Sequence, residues 1–181
     1  RQIINEHQDI VNECETSKDI IAMIERRKQR KEIDFIEFAR MFIEKTPNEG
    51  TKTVKTTGIN SLCHFLNYKN GNEKLLIKDL TSRFLREYEE WLRQERYITV
   101  RQNKTAKQAY KTIKKPALND TGVHSYMGII QSVFNAALLH FNDYEKGDII
   151  ITNDPFKVYT IPAVLEAKKR AVDVDIIRKI Y

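Results

Sequence analysis

The stretch NDTGVHSYMGIIQSVFNAALLHF, residues 119–141, is the longest apolar-periodic segment of this 181-residue chain. Apolar side chains recur in it every three or four positions, which is the spacing of one helix face. That face consists of Val123, Met127, Ile130, Phe134, Ala137, Leu138 and Phe141. Asn119 and Asp120 are both residues that cap helix N-termini well. The stretch therefore predicts a long helix that packs against a core.

The same periodicity predicts shorter helices elsewhere in the chain, over about 17–30, 34–46, 51–67 and 79–95. A short apolar run at 75–77 is too brief to define a sheet, and the sequence shows no internal repeat. The predicted fold class is all-α. We expect a bundle of four main helices with little or no sheet, preceded by an extra N-terminal helical segment.

Composition narrows the function classes. Hydrophobic residues make up 41% of the chain and charged residues 31%, which is typical of a soluble folded domain. The four histidines have no metal-ligand spacing with other His, Cys or acidic residues, and the six glycines form no phosphate-binding loop. Two cysteines give no disulfide framework. We therefore expect no catalytic site, no metal, no cofactor, no small-molecule substrate and no membrane span.

The net charge of +6 is concentrated in one segment, residues 97–118, which we call the basic stretch. It contains six basic residues and no acidic one: Arg101, Lys104, Lys107, Lys111, Lys114 and Lys115. Concentrated positive charge favours binding to a polyanion, most often nucleic acid. The alternative is a solvated basic loop without a partner.

The face of the 119–141 helix opposite its apolar face is polar and carries no charge. It comprises His124, Ser125, Gly128, Gln131, Ser132 and Asn135. Hydrogen-bonding side chains around a small glycine suit close approach to a DNA groove, with contacts to base edges or phosphates. The alternative is a face that packs against another helix or domain.

The start of the 51–67 helix is rich in hydrogen-bonding and basic side chains: Thr51, Lys52, Thr53, Lys55, Thr56 and Asn60. The backbone N–H groups and the positive dipole end at a helix start can hold a phosphate, and the two lysines would add charge. The alternative is a threonine-rich helix start with a purely structural role.

An ordered series of motifs then becomes visible along the chain. It runs through Phe35-Ile36-Glu37-Phe38, Gly50-Thr51 to Phe65, Leu76 to Leu80 followed by Tyr88 and Trp91, Asn119 and Thr121 to Ala137, Asn153-Asp154-Pro155-Phe156, and Lys169-Arg170. The series resembles the core-binding domain of tyrosine recombinases, the phage-integrase family. The Asn-Asp-Pro-Phe element departs from the family's Asn-Pro-Phe signature by one inserted residue. The basic stretch is longer than the family's usual connection at that place.

The resemblance implies a SAM-like helical domain that clamps one side of duplex DNA with its second and fourth helices. It implies further DNA contacts at Asn119, Thr121, Lys168, Lys169 and Arg170. It also implies three segments: a helical connector at 1–32, the DNA-binding domain at 33–157, and a linker with the start of a catalytic domain at 158–181. The expected partners are double-stranded DNA and other recombinase protomers assembled on it, in the bacterial cytoplasm in association with the nucleoid.

The parent recombinase would use a tyrosine nucleophile on a DNA phosphate, with no cofactor. No histidine of this chain is followed by arginine three residues later, so the family's His-x-x-Arg motif is not found in it. Both ends of the sequence are interpreted as cuts through a longer protein. Two other functions stay open, a non-enzymatic helical adaptor that contacts proteins and a helical transcription regulator.

Overall fold

The computed structural model describes residues 16–101, 109–147 and 149–164. Its helices are Ser17–Glu32 (α1), Phe35–Glu44 (α2), Glu49–Asn70 (α3), Ser82–Leu92 (α4) and Asp120–Phe141 (α5). Two strands, Arg96–Arg101 (β1) and Tyr110–Lys115 (β2), lie between α4 and α5. Two 3-10 turns span Ile77–Asp79 and Pro155–Lys157. The predicted all-α class is confirmed, with one small sheet added to it.

Short polar side chains start each of these helices. Asp34 accepts hydrogen bonds from the backbone N–H groups of Ile36 and Glu37, at 2.9 and 3.3 Å, and Asn119 accepts one from Gly122 at 2.9 Å. Both caps agree with the sequence pattern. Helix α3 begins at Glu49, two residues earlier than predicted, because Asn48 provides its cap.

Helices α2 to α5 surround a single apolar core, and α1 lies against the turn at Ile77–Asp79. Residues 33–35 and 75–77 pair as an isolated antiparallel bridge, in which Phe35 N–H donates to the Leu75 carbonyl at 2.7 Å. The largest fully buried side chains are Tyr88, Phe35, Phe134, Ile59, Leu62, Leu66, Ile77, Leu80, Leu85, Leu92, Met127 and Ile130.

Helices α3 and α5 make their closest contact at Gly58. A Cβ atom added to this glycine would lie 2.6 Å from Cδ1 and 2.9 Å from Cγ2 of Ile129. Carbon atoms do not approach so closely without displacement, so only glycine fits here at this helix separation. Ser61 lies about one turn after Gly58 on α3. It accepts a hydrogen bond at 3.0 Å from the buried Tyr88 hydroxyl, which connects α3 to α4.

The basic stretch contains the antiparallel pair β1–β2, where the sequence predicted little or no sheet. Ile98 lies opposite Ile113, and Thr99 lies opposite Thr112. Ile98 packs against the core, whereas Tyr97 is exposed. Alternating β-branched and aromatic residues are favoured in strands, and this local preference prevails over the continuation of α4, which ends at Leu92.

Arg96 fixes the base of this hairpin to the bundle. Its side chain is buried, and its Nη1 donates to the carbonyls of Leu92 and Pro116 at 3.0 and 2.9 Å. The guanidinium also lies over the Trp91 ring, 4.9 Å from the centroid. Burial lowers the pKa of Arg96 from its ordinary value. A single cation therefore joins the last turn of α4 to the chain that follows β2.

The chain after α5 folds back over the bundle. Asn142 is buried, and its Oδ1 accepts hydrogen bonds from the backbone N–H groups of Ile150 and Ile151, at 2.9 and 2.8 Å. Asp154 caps the turn at Pro155–Lys157, and Phe156 contacts Phe134 with ring centroids 5.9 Å apart. This segment thus belongs to the packed structure.

We expect the substitution Gly58→Val to reduce the free energy of unfolding by about 1–3 kcal/mol, because the new side chain overpacks the contact with Ile129. Urea unfolding followed by circular dichroism measures the change. The matched control is Gly128→Val on α5, where an added Cβ meets nothing within 4 Å. Equal unfolding free energies for the two variants would contradict a close α3–α5 contact.

We expect Arg96→Met to reduce the free energy of unfolding by about 2–3 kcal/mol, since it removes charge-assisted hydrogen bonds to the carbonyls of Leu92 and Pro116. Arg93→Met is the control, because Arg93 is exposed and forms surface ion pairs with Glu89 and Asp120. Its effect should be smaller. Thermal unfolding measures the stability of both variants. A larger loss of stability for Arg93→Met than for Arg96→Met would contradict the anchoring role of Arg96.

Candidate nucleic-acid interface

The first turns of α3 and α5 form the two walls of an open groove of about 570 Å³, which we call the α3–α5 groove. Four residues predicted to bind DNA line it, Thr51 and Lys55 from α3 and His124 and Ser125 from α5. Ile129, which meets Gly58 at the helix crossing, also lines it. The remaining lining residues are Asn48, Gly50, Val54, Gly128 and Ser132. Two helix faces chosen separately from the sequence therefore meet at one place.

Several predicted hydroxyl donors are already used inside their helices. Thr53 and Thr56 donate to the carbonyls of Glu49 and Lys52, at 2.9 and 2.8 Å, and Thr57, which was not predicted, donates to the Thr53 carbonyl at 2.9 Å. Ser125 donates to the Thr121 carbonyl at 2.9 Å. Hydroxyl groups in helices commonly bond the carbonyl four residues earlier. In this arrangement their oxygens can still accept hydrogen bonds, but they have no proton to offer a phosphate.

The two predicted lysines of α3 also have intramolecular partners. Lys52 Nζ lies 2.9 Å from Glu44 Oε2, and this hydrogen bond raises the pKa of Lys52. Lys55 Nζ lies 4.4 Å from the centroid of the Phe42 ring, a cation–π contact. Both ammonium groups remain at the surface, where such contacts are weak and a phosphate can compete for them.

The helix starts leave fewer backbone N–H groups available than expected. Asn48 Oδ1 accepts from Thr51 N–H at 2.9 Å, and Glu49 places a carboxylate in the same first turn. Asn119 serves as the cap of α5, and the neighbouring Asp120 pairs with Arg93. These features weaken the predicted phosphate site at the start of α3, which stays a prediction.

His124 contacts the segment that follows the turn at Pro155–Lys157. Its Nδ1 lies 2.8 Å from the carbonyl oxygen of Pro162, which is an acceptor, so Nδ1 carries the proton. The Nε2 atom is then left as an acceptor in the neutral imidazole. Tyr159 anchors the same segment, because its hydroxyl donates to Glu89 at 2.6 Å. Burial, followed by this hydrogen bond, raises the pKa of Tyr159.

Other predicted residues of the two helices do not line the α3–α5 groove. On α5, Thr121 and Asn135 are exposed and Gln131 is half-buried, outside the groove. On α3, Asn60 is exposed and lines cavities on another side of the helix. The groove is therefore smaller than the predicted interface, and these residues remain predictions.

The described lysines of the hairpin form an exposed basic strand. Lys111, Lys114 and Lys115 all lie on β2, and Lys114 Nζ forms an ion pair with Glu95 at 2.8 Å. The other predicted basic residues lie outside the described residues: Lys104, Lys107, Lys168, Lys169 and Arg170, together with the side chain of Arg101.

Sequence reasoning missed two residues that shape this surface, Gly58 and Arg96. Gly58 lies four residues after Val54 and seven after Thr51, so helical spacing from Thr51 could have placed it on the groove side. No pattern in the neighbouring sequence predicts the role of Arg96, because one of its acceptors is the carbonyl of Pro116, twenty residues away. Val54 is an apolar residue at the surface, since it is 59% exposed in the groove wall.

In the described parts of the chain, no cluster of three or more His, Cys, Asp or Glu side chains is placed to hold a metal ion. No helix in those parts is long and apolar enough to cross a membrane.

A family model for the phage integrase SAM-like domain matches residues 34–160, more than two thirds of the chain. This range includes α2 to α5, the hairpin and the turn at Pro155–Lys157. No curated protein and no solved structure matches the chain.

Proposed function

The chain belongs to the phage integrase SAM-like domain family, and on that premise we propose that it is the core-binding domain of a site-specific tyrosine recombinase. A DNA-binding role in recombination follows from the family. The finer proposal is that the α3–α5 groove contacts duplex DNA directly. The observation that carries it is the meeting of two polar helix faces, with Lys55 as the only charged residue that lines the groove in the described structure.

The groove walls suit close approach to a duplex. Gly128 adds no side chain, and a Cβ placed there would have nothing within 4 Å. His124, Ser125 and Ser132 offer acceptor atoms beside it. Base edges in the major groove carry donors as well as acceptors, so acceptor-rich walls can read sequence. The lysines at the edge would meet phosphates and fix the register.

The basic hairpin would add affinity without sequence preference. Its described lysines are exposed on one strand, and the basic stretch itself contains no acidic residue, although Glu95, which precedes the stretch, pairs with Lys114. Each phosphate that such a lysine neutralises steepens the salt dependence by about 0.9 on duplex DNA. Arg96 holds the hairpin base against the bundle, which gives the charged strand a fixed starting point.

The wider organisation is also part of the proposal. Residues 1–32 would connect to an upstream DNA-binding domain, residues 33–157 would form the core-binding domain, and residues 158–181 would lead into a catalytic domain. Asn119, Thr121, Gln131, Asn135, Lys168, Lys169 and Arg170 would extend the DNA contacts. Other recombinase protomers would assemble on the same DNA, in the bacterial cytoplasm and nucleoid.

We expect Gly128→Gln to weaken binding to duplex DNA about tenfold, because its side chain would fill the α3–α5 groove without changing charge. Fluorescence anisotropy with a labelled duplex at low salt measures the affinity. Leu139→Gln is the matched control, since Leu139 is 76% exposed on the same helix and outside the groove. Equal affinities for both variants would show that DNA does not enter the groove.

We expect replacement of Lys104, Lys107, Lys111, Lys114 and Lys115 by glutamine to weaken binding to all duplex sequences alike. The log–log salt slope should become shallower by about 0.9 for each phosphate that the variant no longer neutralises. Titrations at several salt concentrations measure it. An unchanged slope would show that the hairpin lysines face solvent and do not contact DNA.

The alternative function, a helical adaptor that contacts other proteins, makes a different prediction. It would be favoured if binding to a partner protein persisted after Lys52, Lys55 and the hairpin lysines were changed to Glu.

A further inference from the structure

A second open depression lies between residues 57–68 of α3 and strand β1, and we call it the tyrosine trough. Two adjoining cavities of about 640 and 350 Å³ form it, and Asn60, His64 and Ile98 line both. Eleven residue steps of α3 give the trough a length of about 16 Å. Among the described residues that were predicted to bind DNA, only Asn60 and Lys115 line it. The proposed duplex contacts in the α3–α5 groove therefore leave most of it unexplained.

Three exposed tyrosines line the larger cavity. Tyr68 of α3 is 76% exposed, Tyr97 of β1 is 66% exposed, and Tyr110 of β2 is 62% exposed. The strand register pairs Tyr97 with Lys114 and Arg101 with Tyr110, which places Tyr97 and Tyr110 on the same face of the hairpin. Large aromatic side chains grouped at a surface are typical of binding sites, because their exposure otherwise gains nothing.

The trough also offers hydrogen-bonding groups between its aromatic walls. Asn60 is exposed, and His64 is half-buried. Burial lowers the pKa of His64, and the nearby Lys115 acts in the same direction although Glu73 opposes it. The neutral imidazole has one donor and one acceptor. Such groups suit the edges of nucleobases, which carry both kinds of partner.

The charges around the trough favour an anionic ligand. In the described structure its lining contains one carboxylate, that of Glu73, and this group is paired with Arg40 at 2.6 Å. The pairing lowers the pKa of Glu73 and neutralises its charge locally. Lys115 lines the smaller cavity, and its side chain is exposed. A negatively charged chain with flat aromatic groups fits this combination.

We propose that the tyrosine trough binds unpaired nucleotides of a DNA single strand. Their bases stack on Tyr68, Tyr97 and Tyr110, and their phosphates face the lysines of β2. Stacking on aromatic side chains requires bases that are not buried in a duplex, so the trough distinguishes single-stranded from double-stranded DNA. The site goes beyond the proposed duplex contacts and does not depend on them.

The test compares a labelled 20-nucleotide thymidine strand with a labelled 20-base-pair duplex, using the whole chain and fluorescence anisotropy. We expect Tyr68→Ser, Tyr97→Ser and Tyr110→Ser together to weaken binding to the single strand at least tenfold, about the loss of one stacked base. Duplex affinity should change less than twofold. Replacing the same three residues by phenylalanine keeps the aromatic faces and should preserve single-strand binding.

The matched control is Tyr144→Ser, because Tyr144 is 60% exposed and lies outside the trough. Should the triple variant fold poorly, a thymidine strand containing 5-iodouracil reports on the wild-type chain, where photocrosslinks should map to the three tyrosines. Crosslinks elsewhere, or equal losses for both DNA forms, would overturn the proposal. Unchanged single-strand binding with altered self-association in ultracentrifugation would instead assign the trough to a second copy of the chain.

If neither DNA form binds the wild-type chain, both the trough site and the duplex site are wrong. If the duplex binds and the single strand does not, only the trough site is wrong. If the single strand binds, the tyrosine substitutions weaken that binding, and the duplex does not bind, the trough site is supported and the duplex site in the α3–α5 groove is wrong. The two proposals therefore fail separately.

Discussion

The close contact between Gly58 and Ile129 is the constraint on which the α3–α5 groove depends. Because glycine lets α5 approach α3 at this point, the N-terminal halves of the two helices border one open groove instead of two separate surfaces. A side chain at position 58 would act as a spacer in the crossing and would widen the groove. The polar residues of the two walls therefore lie side by side because the helices that carry them pack closely at this crossing.

In the same two helices, several hydroxyl groups that the sequence presents as hydrogen-bond donors are already bonded within the helix. Threonine and serine in a helix interior tend to donate to the carbonyl four residues earlier, and four such hydroxyls do so here. Of these four, Ser125 lines the α3–α5 groove, where its oxygen remains an acceptor beside His124 and Lys55. If a duplex enters the groove, the Ser125 oxygen can meet a donor on a base edge but has no proton to offer a phosphate.

Features encoded locally could be predicted from the sequence, and features that join distant residues could not. Helix α5, its Asn119 cap and the Asp34 cap of α2 depend on residues within one or two turns, so periodicity and capping preferences were enough. The hairpin pairs strands separated by eight residues, and a basic segment with only a few alternating β-formers gives a weak signal. Arg96 and Gly58 act on partners far along the chain, which a single sequence does not reveal.

The segment after α5 links the packing of the domain to the position of the groove. Tyr159 bonds to Glu89, Glu89 pairs with Arg93, and Arg93 reaches Asp120 at the start of α5. Tyr159 is only 4% exposed, so apolar burial as well as the hydrogen bond fixes this part of the chain. Pro162 then lies against His124 in the groove wall. Pro162 therefore lies beside the surface proposed to meet the duplex, and a DNA contact at His124 would compete with the hydrogen bond from His124 to the Pro162 carbonyl.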